Sequence, residues 1–406
     1  MAGPATAAAG PSPRRINFTV RMEVDLAAER KQVFEEAWNV MKNRFYDPKM
    51  HGVDWAAAKD RYEPLLEHVA DTDELQNVIM EMIGEMNASH TGISGGGGFP
   101  GQAPAPERTQ TRYPGFDLAP DASGYFKVSY IYKKGPADQD YIKLSVGNFI
   151  LSVNGRDLKT TDNYWRVFNV LPGRKLEFLV NTTPTPEGAW KFTVDPLTSA
   201  QMSDLQYQLW VDRNEERTNK LSNGQVGYLH IKAMDQPSLD KFQRDMLKNQ
   251  DKKALIIDQR FNGGGGIDQE LLAILVQRKP YQATVGRDSV PAPRPGQAFF
   301  GPMAVIQNER SASDAEMFPD GFRTLGLGKI VGVPTYGAVI GTGSFRLLDG
   351  STIRTPGAGV FTASGRDMEN YGVPPDVYAD NTPADYLSGH DRQIEKAIEV
   401  LTSQIK

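Results

Sequence analysis

The chain contains no cysteine. Disulfides, thiol nucleophiles and cysteine-ligated metals are therefore excluded. Histidine is scarce: His51, His68, His90, His230 and His390 are all five that the sequence holds. None forms an HExxH or another paired spacing, so no zinc site is predicted and no cofactor is called for. No run of 18 apolar residues occurs, which leaves no candidate membrane-spanning helix. The opening MAGPATAAAGPSPRR is rich in Ala, Pro and Gly but lacks the apolar centre of a signal peptide, and reads as a linker. No basic stripe interrupts a formal net charge of -5, which argues against a nucleic-acid partner.

What remains is an ordinary globular composition, 39% hydrophobic and 23% charged, in 406 residues. That length is too great for one core and predicts two or three domains. Residues 1–22 read as linker and strand. From Asp25, apolar positions at Val33, Phe34, Ala37, Trp38, Val40, Met41 and Phe45 recur with helical spacing. A second helix is predicted from Asp54 and a third from about Thr72 as N-cap. The segment 23–94 is thus a helical unit closing in a turn and short strand. Residues 95–112, Gly/Pro-rich and polar, read as a linker. Residues 113–200 alternate apolar and polar, with an Asn154-Gly155 hairpin turn and a helix in TDNYWRVFNVL, predicting a small β-domain. Residues 201–406 alternate strands with helices, the pattern of a largely parallel, covered sheet.

Within that last region NERSASDAEMF follows the apolar run PMAVIQN and precedes a helix. Ser311 and Ser313 therefore sit at a strand-to-helix turn. A capping role explains such serines well. A nucleophile at Ser313 explains them too: the carboxyl ends of parallel strands collect active residues, and a helix N-terminus offers N–H groups for an oxyanion. The N–H of Asp314 is the natural first donor. The glycine run of RFNGGGGID, which also links strand to helix, supplies the second through Gly264 or a neighbour. A nucleophilic serine needs a base, either histidine or lysine. His90 stands at a helix end beside Ser89 and a glycine-rich loop. Glu369, ahead of a turn at 370–375, is a candidate carboxylate to orient it.

The order NASHTG, linker, NFILSVNGRDL, DQRFNGGG, NERSASDAEMF, ENYGVPPD resembles the tricorn proteases, and more distantly the carboxyl-terminal processing proteases. The resemblance covers about residues 16–406. It implies a multidomain α+β fold: an N-terminal helical segment, a PDZ-like β-domain, and a C-terminal α/β catalytic domain with a largely parallel sheet. It implies a serine peptidase acting on oligopeptides or unfolded peptides. Ser313 falls on the nucleophile and His90 on the base. Ser89 and Glu369 fall on the relay, and Asp314 and Gly264 on the oxyanion donors. The processing proteases use lysine, in a TFGKG-like loop; here the loop reads VPTYGAVIGTG, with Ala338 at that place and Lys329 the nearest lysine.

The resemblance further implies a homo-oligomer, hexameric in tricorn, in the cytoplasm, or in the periplasm if the chain is cut from a longer secreted precursor. Tricorn's two β-propellers have no counterpart here; the sequence reads as a piece of a longer chain or as a short relative. An acidic residue that selects basic side chains in tricorn aligns with Gln282, with Asp288 or Asp268 as substitutes. A catalytically inactive peptide-binding protein of the same fold is the alternative reading.

Overall fold

The computed structural model describes residues 23–96, 110–169 and 174–405. The linker and strand expected at 1–22 and most of the linker expected at 95–112 lie outside the described residues. The chain divides into two compact units, one gathering 23–96 with 341–358 and the other holding the rest.

In the first unit, α1 (Leu26–Arg44) begins where Asp25 accepts hydrogen bonds from the N–H groups of Ala27 and Ala28. Asp54 caps α2 (Trp55–Tyr62). The cap of α3 (Thr72–Gly84) is Asp71, which accepts from Glu74 N–H at 2.9 Å; Thr72, the expected cap, is the first helical residue. Asp71 is in extended conformation, as a cap must be, whereas Thr72 has already turned into the helix. Val33, Phe34, Ala37 and Met41 of α1 pack on Ile79 and Met82 of α3. A three-stranded antiparallel sheet completes this core. Its order is β1 (Gly92–Gly95), β15 (Ser351–Gly359), β14 (Ile340–Arg346), and it contributes Ile353 and Leu347. By sequence, 341–358 falls within the C-terminal region 201–406. The structure groups it here, because its inward side chains fill the gap under α1 and α3.

The second unit contains an antiparallel sheet of β2 (Phe116–Pro120), β3 (Phe126–Ile131), β4 (Phe149–Val153), β5 (Arg156–Asp157), β6 (Leu176–Asn181) and β7 (Trp190–Val194). Asn154 and Gly155 have φ of 51° and 76°, so the β4–β5 connection is the two-residue turn read from the sequence. The helix expected in TDNYWRVFNVL is the short α4 (Tyr164–Phe168), over a core of Phe116, Phe168 and Phe178.

A second, five-stranded sheet is wholly parallel: β8 (Val226–His230), β9 (Ala254–Asp258), β12 (Met303–Gln307), β13 (Gly328–Gly332), β16 (Val377–Tyr378). Its spatial order follows chain order. With every crossover of one hand, the intervening helices fall on one face. Accordingly α6 (Gln236–Lys248), α7 (Asp268–Leu275) and α8 (Asp314–Thr324) pack on Leu255, Ile257 and Val305. The alternate residues Ala254, Ile256 and Ala304 face α5 (Ser199–Leu221) and α10 (Arg392–Thr402). Covered on both sides, β8, β9 and β12 are buried throughout, which explains their near-continuous apolar sequences. At the end of β9, buried Arg260 holds Asp258 and Asp391, the N-cap of α10. Removing one partner would leave an uncompensated buried charge, a cost of about 3–5 kcal/mol. This network fixes the point from which the glycine loop departs. The remaining elements are the hairpin β10 (Gln282–Thr284) with β11 (Ala292–Arg294), and α9 (Pro383–Ser388).

Candidate active site

Because β9 and β12 are neighbours, the loops leaving their carboxyl ends lie side by side. One is the glycine loop 259–267; the other is the serine turn 308–313. They are stitched by backbone: Ala312 N–H donates to Asn262 O at 3.0 Å. Ser311 is fully buried and its hydroxyl donates to Gln259 O at 3.1 Å, so it is a strut between the loops.

Ser313 is half-buried and has φ 59°, ψ -125°. A helix-capping serine has extended φ/ψ. A non-glycine residue held in this region costs about 1–3 kcal/mol, and such strain concentrates at functional positions. The serine is thus turned sharply out of the strand before α8 begins. Gly264, φ 97°, lies directly against it. A Cβ added there would stand 2.6 Å from Ser313 Cβ, 2.7 Å from Ala312 O and 3.1 Å from Asp314 N. Only glycine permits this approach. The Gly264 N–H itself donates to Asn262 Oδ1 at 2.9 Å. Among the described residues, the N–H groups of Gly263 and Asp314 have no acceptor.

The Asp314 side chain turns inward. Its Oδ2 accepts from Ile267 N–H at 2.7 Å and Asp268 N–H at 3.2 Å, clamping the end of the glycine loop to the serine turn. Burial, and then the neighbouring Asp268 carboxyl, push the Asp314 carboxyl up to about 7. A carboxyl raised by folding contributes stability that is full below its ordinary range and is lost as pH climbs through its folded value. Asp314→Asn keeps the shape of the protonated form and does not titrate. The melting temperature of this variant should gain on the wild type as pH rises from about 4 to about 7, with no further gain above that. Calorimetry across that range reads the difference directly; a pH-independent offset would show that Asp314 does not titrate there.

Glu316, in the first turn of α8, is fully buried. Its carboxylate accepts from Ser313 N–H (3.1 Å), Ala338 N–H (2.7 Å), Gly337 N–H (2.7 Å) and the Thr335 hydroxyl (2.5 Å). Burial pushes its carboxyl up, against the pull of those donors. Sequence reasoning missed Glu316 and Thr335. The signal was present: a serine followed three residues later by glutamate is the spacing of a capping box.

Glu369 is buried, and its Oε2 accepts from Val339 N–H at 2.8 Å, while Asn370 N–H donates to Gly337 O. So the loop 335–339 is held on one side by Glu316 and on the other by Glu369. Ala338 is in this loop, 5% exposed. Lys329 is the second residue of β13, in register with Ala304 near the start of β12, so it stands at the amino end of the sheet. With about 3.3 Å of rise per residue, three residues back along β12 put it roughly 10 Å below the strand's carboxyl end. It is not placed to serve Ser313.

Ser89 and His90 belong to the first unit, between α3 and β1. Ser89 Oγ lies 2.7 Å from His90 Nδ1. An Nδ1–H donating to that oxygen leaves Nε2 as the basic nitrogen. Elsewhere in the chain, His51 bonds Tyr46 and Met86 O, and buried His230 bonds Tyr207 and Arg260 O. Gln282 opens the exposed hairpin strand β10, opposite Arg294. Asp268 is engaged with Asp314, which leaves Asp288, exposed on the same hairpin, as the acid nearest Gln282 in sequence.

Residues 225–379 match the family described as peptidase family S41, and residues 26–84 match the tricorn protease C1 domain. A putative tricorn protease homolog 2 of Streptomyces coelicolor is 34% identical over 402 residues, covering 93% of this chain and 33% of that protein. The tricorn protease of Thermoplasma acidophilum is 30% identical over 387 residues, covering 92% of this chain and 35% of its own length. A crystal structure of the tricorn protease superposes with a TM-score of 0.83 at 28% identity, over 94% of this chain and 37% of that one. The chain spans about a third of the length of these relatives. It carries a peptidase family S41 domain and a tricorn protease C1 domain, and is similar to the tricorn proteases over more than nine-tenths of its length.

Proposed function

We propose that the chain is a serine peptidase of tricorn type that hydrolyses oligopeptides or unfolded peptides through an acyl-enzyme on Ser313. The observation that carries this reading is the strained Ser313, pressed against Gly264 at the carboxyl ends of two parallel strands. A purely peptide-binding module has no use for that strain. His90 acts as general base, taking the Ser313 hydroxyl proton as Oγ attacks the peptide carbonyl and giving it to the leaving amine. Ser89 and Glu369 form the relay that orients it. The oxyanion is held by the Asp314 N–H and by the glycine loop; Gly263 supplies the second donor unless Gly264 releases Asn262 on binding. Water then attacks the acyl-enzyme with His90 again as base. Nothing in this sequence of steps calls for a metal or cofactor.

The regions 23–94, 113–200 and 201–406 are assigned as a helical segment, a PDZ-like domain and the catalytic domain. The antiparallel sheet with its short α4 supports the second. No helix among the described residues is long and apolar enough to cross a membrane. A cytoplasmic homo-oligomer is the setting that the resemblance implies.

For the cleavage site, Gln282 takes the place of the acid that selects basic residues. An amide does not neutralise a buried cation, and each 1.4 kcal/mol of mismatch is about tenfold in rate. Product analysis by mass spectrometry on a mixed peptide pool should show apolar or aromatic residues before the cut. Gln282→Asp should move the preference toward lysine and arginine. A tenfold or greater preference for arginine in the wild type would place an acid, Asp288 first, in that subsite. An absence of any cleavage across the pool would remove the peptidase assignment itself.

A further inference from the structure

Four donors converge on the one carboxylate of Glu316, and they come from two places: the nucleophile's own backbone, and the loop 335–338. The first is unusual. Ser313 N–H donates to Glu316 Oε1, the glutamate side chain reaching back along the chain, while Glu316 N–H donates to Ser313 O at 2.7 Å. This reciprocal pair fixes both peptide planes flanking Ser313, the two rotations that a φ of 59° leaves under strain. The second set has no local purpose. A capping glutamate needs only its own helix end, yet Glu316 also takes Thr335, Gly337 and Ala338, more than eighteen residues away. Thr335 is itself locked, its hydroxyl accepting from Val373 N–H at 2.7 Å. Tyr336, between these anchors, donates its N–H to Ser311 O at 2.9 Å and leaves its ring 69% exposed.

We infer that Glu316 is a positioning residue for the proposed nucleophile: its carboxylate holds Ser313 in the strained conformation from which it attacks, and ties that conformation to the loop 335–338. The inference rests on the reading of Ser313 as nucleophile. Strain persists only where surroundings over-determine it, and Glu316 supplies that excess. Without the carboxylate, Ser313 relaxes toward an ordinary extended cap. Its Oγ then swings from the donors of the glycine loop, and a displacement of about 1 Å in a reacting group costs on the order of 100-fold.

Glu316→Gln is the sharp variant. Its amide oxygen can still accept from Ser313 and Ala338, but its NH2 meets the N–H of Gly337 head on. Thr335→Val removes one donor and keeps the shape, and Thr335→Ser restores the hydroxyl. The measurement is the second-order rate constant and the final amplitude of covalent labelling by a fluorophosphonate, with kcat and KM for a peptide substrate. Expected are full amplitude in Glu316→Gln, a labelling rate and kcat about 100-fold lower, and KM within a few-fold of the wild type. Thr335→Val should fall by about tenfold, and Thr335→Ser should recover most of it. A normal rate at reduced amplitude in Glu316→Gln would mean that Glu316 only stabilises the fold, and would overturn the inference. If Glu316→Gln does not fold, the Thr335 pair decides: equal rates for valine and serine overturn it as well. Failure of the wild type itself to label at Ser313 would instead strike the peptidase reading, a result these rates keep separate.

Discussion

Ser313→Ala abolishes peptide hydrolysis, with kcat down by about a millionfold, while the protein unfolds within a degree or two of the wild type. The rate term follows from losing the group proposed to form the acyl-enzyme; removing the serine of such a unit costs about as much as removing the whole unit. The stability term is small because alanine bears the same backbone strain as serine, and a lost cap costs only about 1 kcal/mol. Ser313→Gly makes the point from the other side. Glycine accepts a φ of 59° without penalty, so this inactive variant should melt higher than the wild type by the equivalent of about 1 kcal/mol. Ser311→Ala reverses the pattern. It breaks the strut to Gln259 O inside a fully buried turn, which costs about 1–3 kcal/mol, but leaves most activity. Calorimetry and initial rates on these three variants separate a nucleophile from a structural serine. A Ser313→Ala protein that retains activity would end the assignment.

The loss in His90→Ala should approach that in Ser313→Ala, and the double variant should be no worse than either. Residues that act as one unit give this non-additivity, since neither contributes without the other. The competing base is a lysine. Position 338 is alanine, and Lys329 stands at the wrong end of the sheet, so neither position supplies a lysine to take over. The double-mutant comparison, run with a fluorogenic peptide at pH 8, tests this. A His90→Ala variant that keeps even a tenth of the activity would mean that some other group accepts the proton. Ser89→Ala and Glu369→Gln should cost less, because an orienting group acts through position and not by carrying the proton.

Much of the architecture was legible because local chemistry and burial agree. The strands of the parallel sheet are apolar without interruption, since both faces are covered, and the Asn154-Gly155 turn declares its own geometry. The serine turn was placed by the simplest of rules, a strand followed by small residues and a helix. What stayed hidden has particular causes. The 23-residue α5 carries charged residues along most of its length and shows only a weak apolar stripe, so nothing in it announced a helix against the sheet. The strand β15 contains Pro356 and two glycines, residues that argue against a strand, and it lies between β14 and a partner, β1, that is more than 250 residues earlier in the chain. At the site, Ser313 and Asp314 could be chosen from position in a pattern. The four-donor role of Glu316 could not, because its partners are distant in the chain. Nor could the engagement of Gly264 N–H by Asn262, since a glycine run names a place where backbone comes close without naming which N–H is spent.

The first unit is built from two stretches of chain separated by almost the whole of the second, and this sets an order in time. A ribosome releases α1, α2, α3 and the Ser89–His90 pair early, but the strand following His90 finds its neighbour only when Ser351–Arg354 emerges. Until then the early helices lack Leu347 and Ile353 from their core, and residues 23–96 alone are an unfinished body. The proposed base is thus made first, yet is anchored only after the nucleophile's turn has already been synthesised. A growing chain of this kind holds the two proposed halves of its chemistry in unequal states of completion until residues 351–354 have emerged.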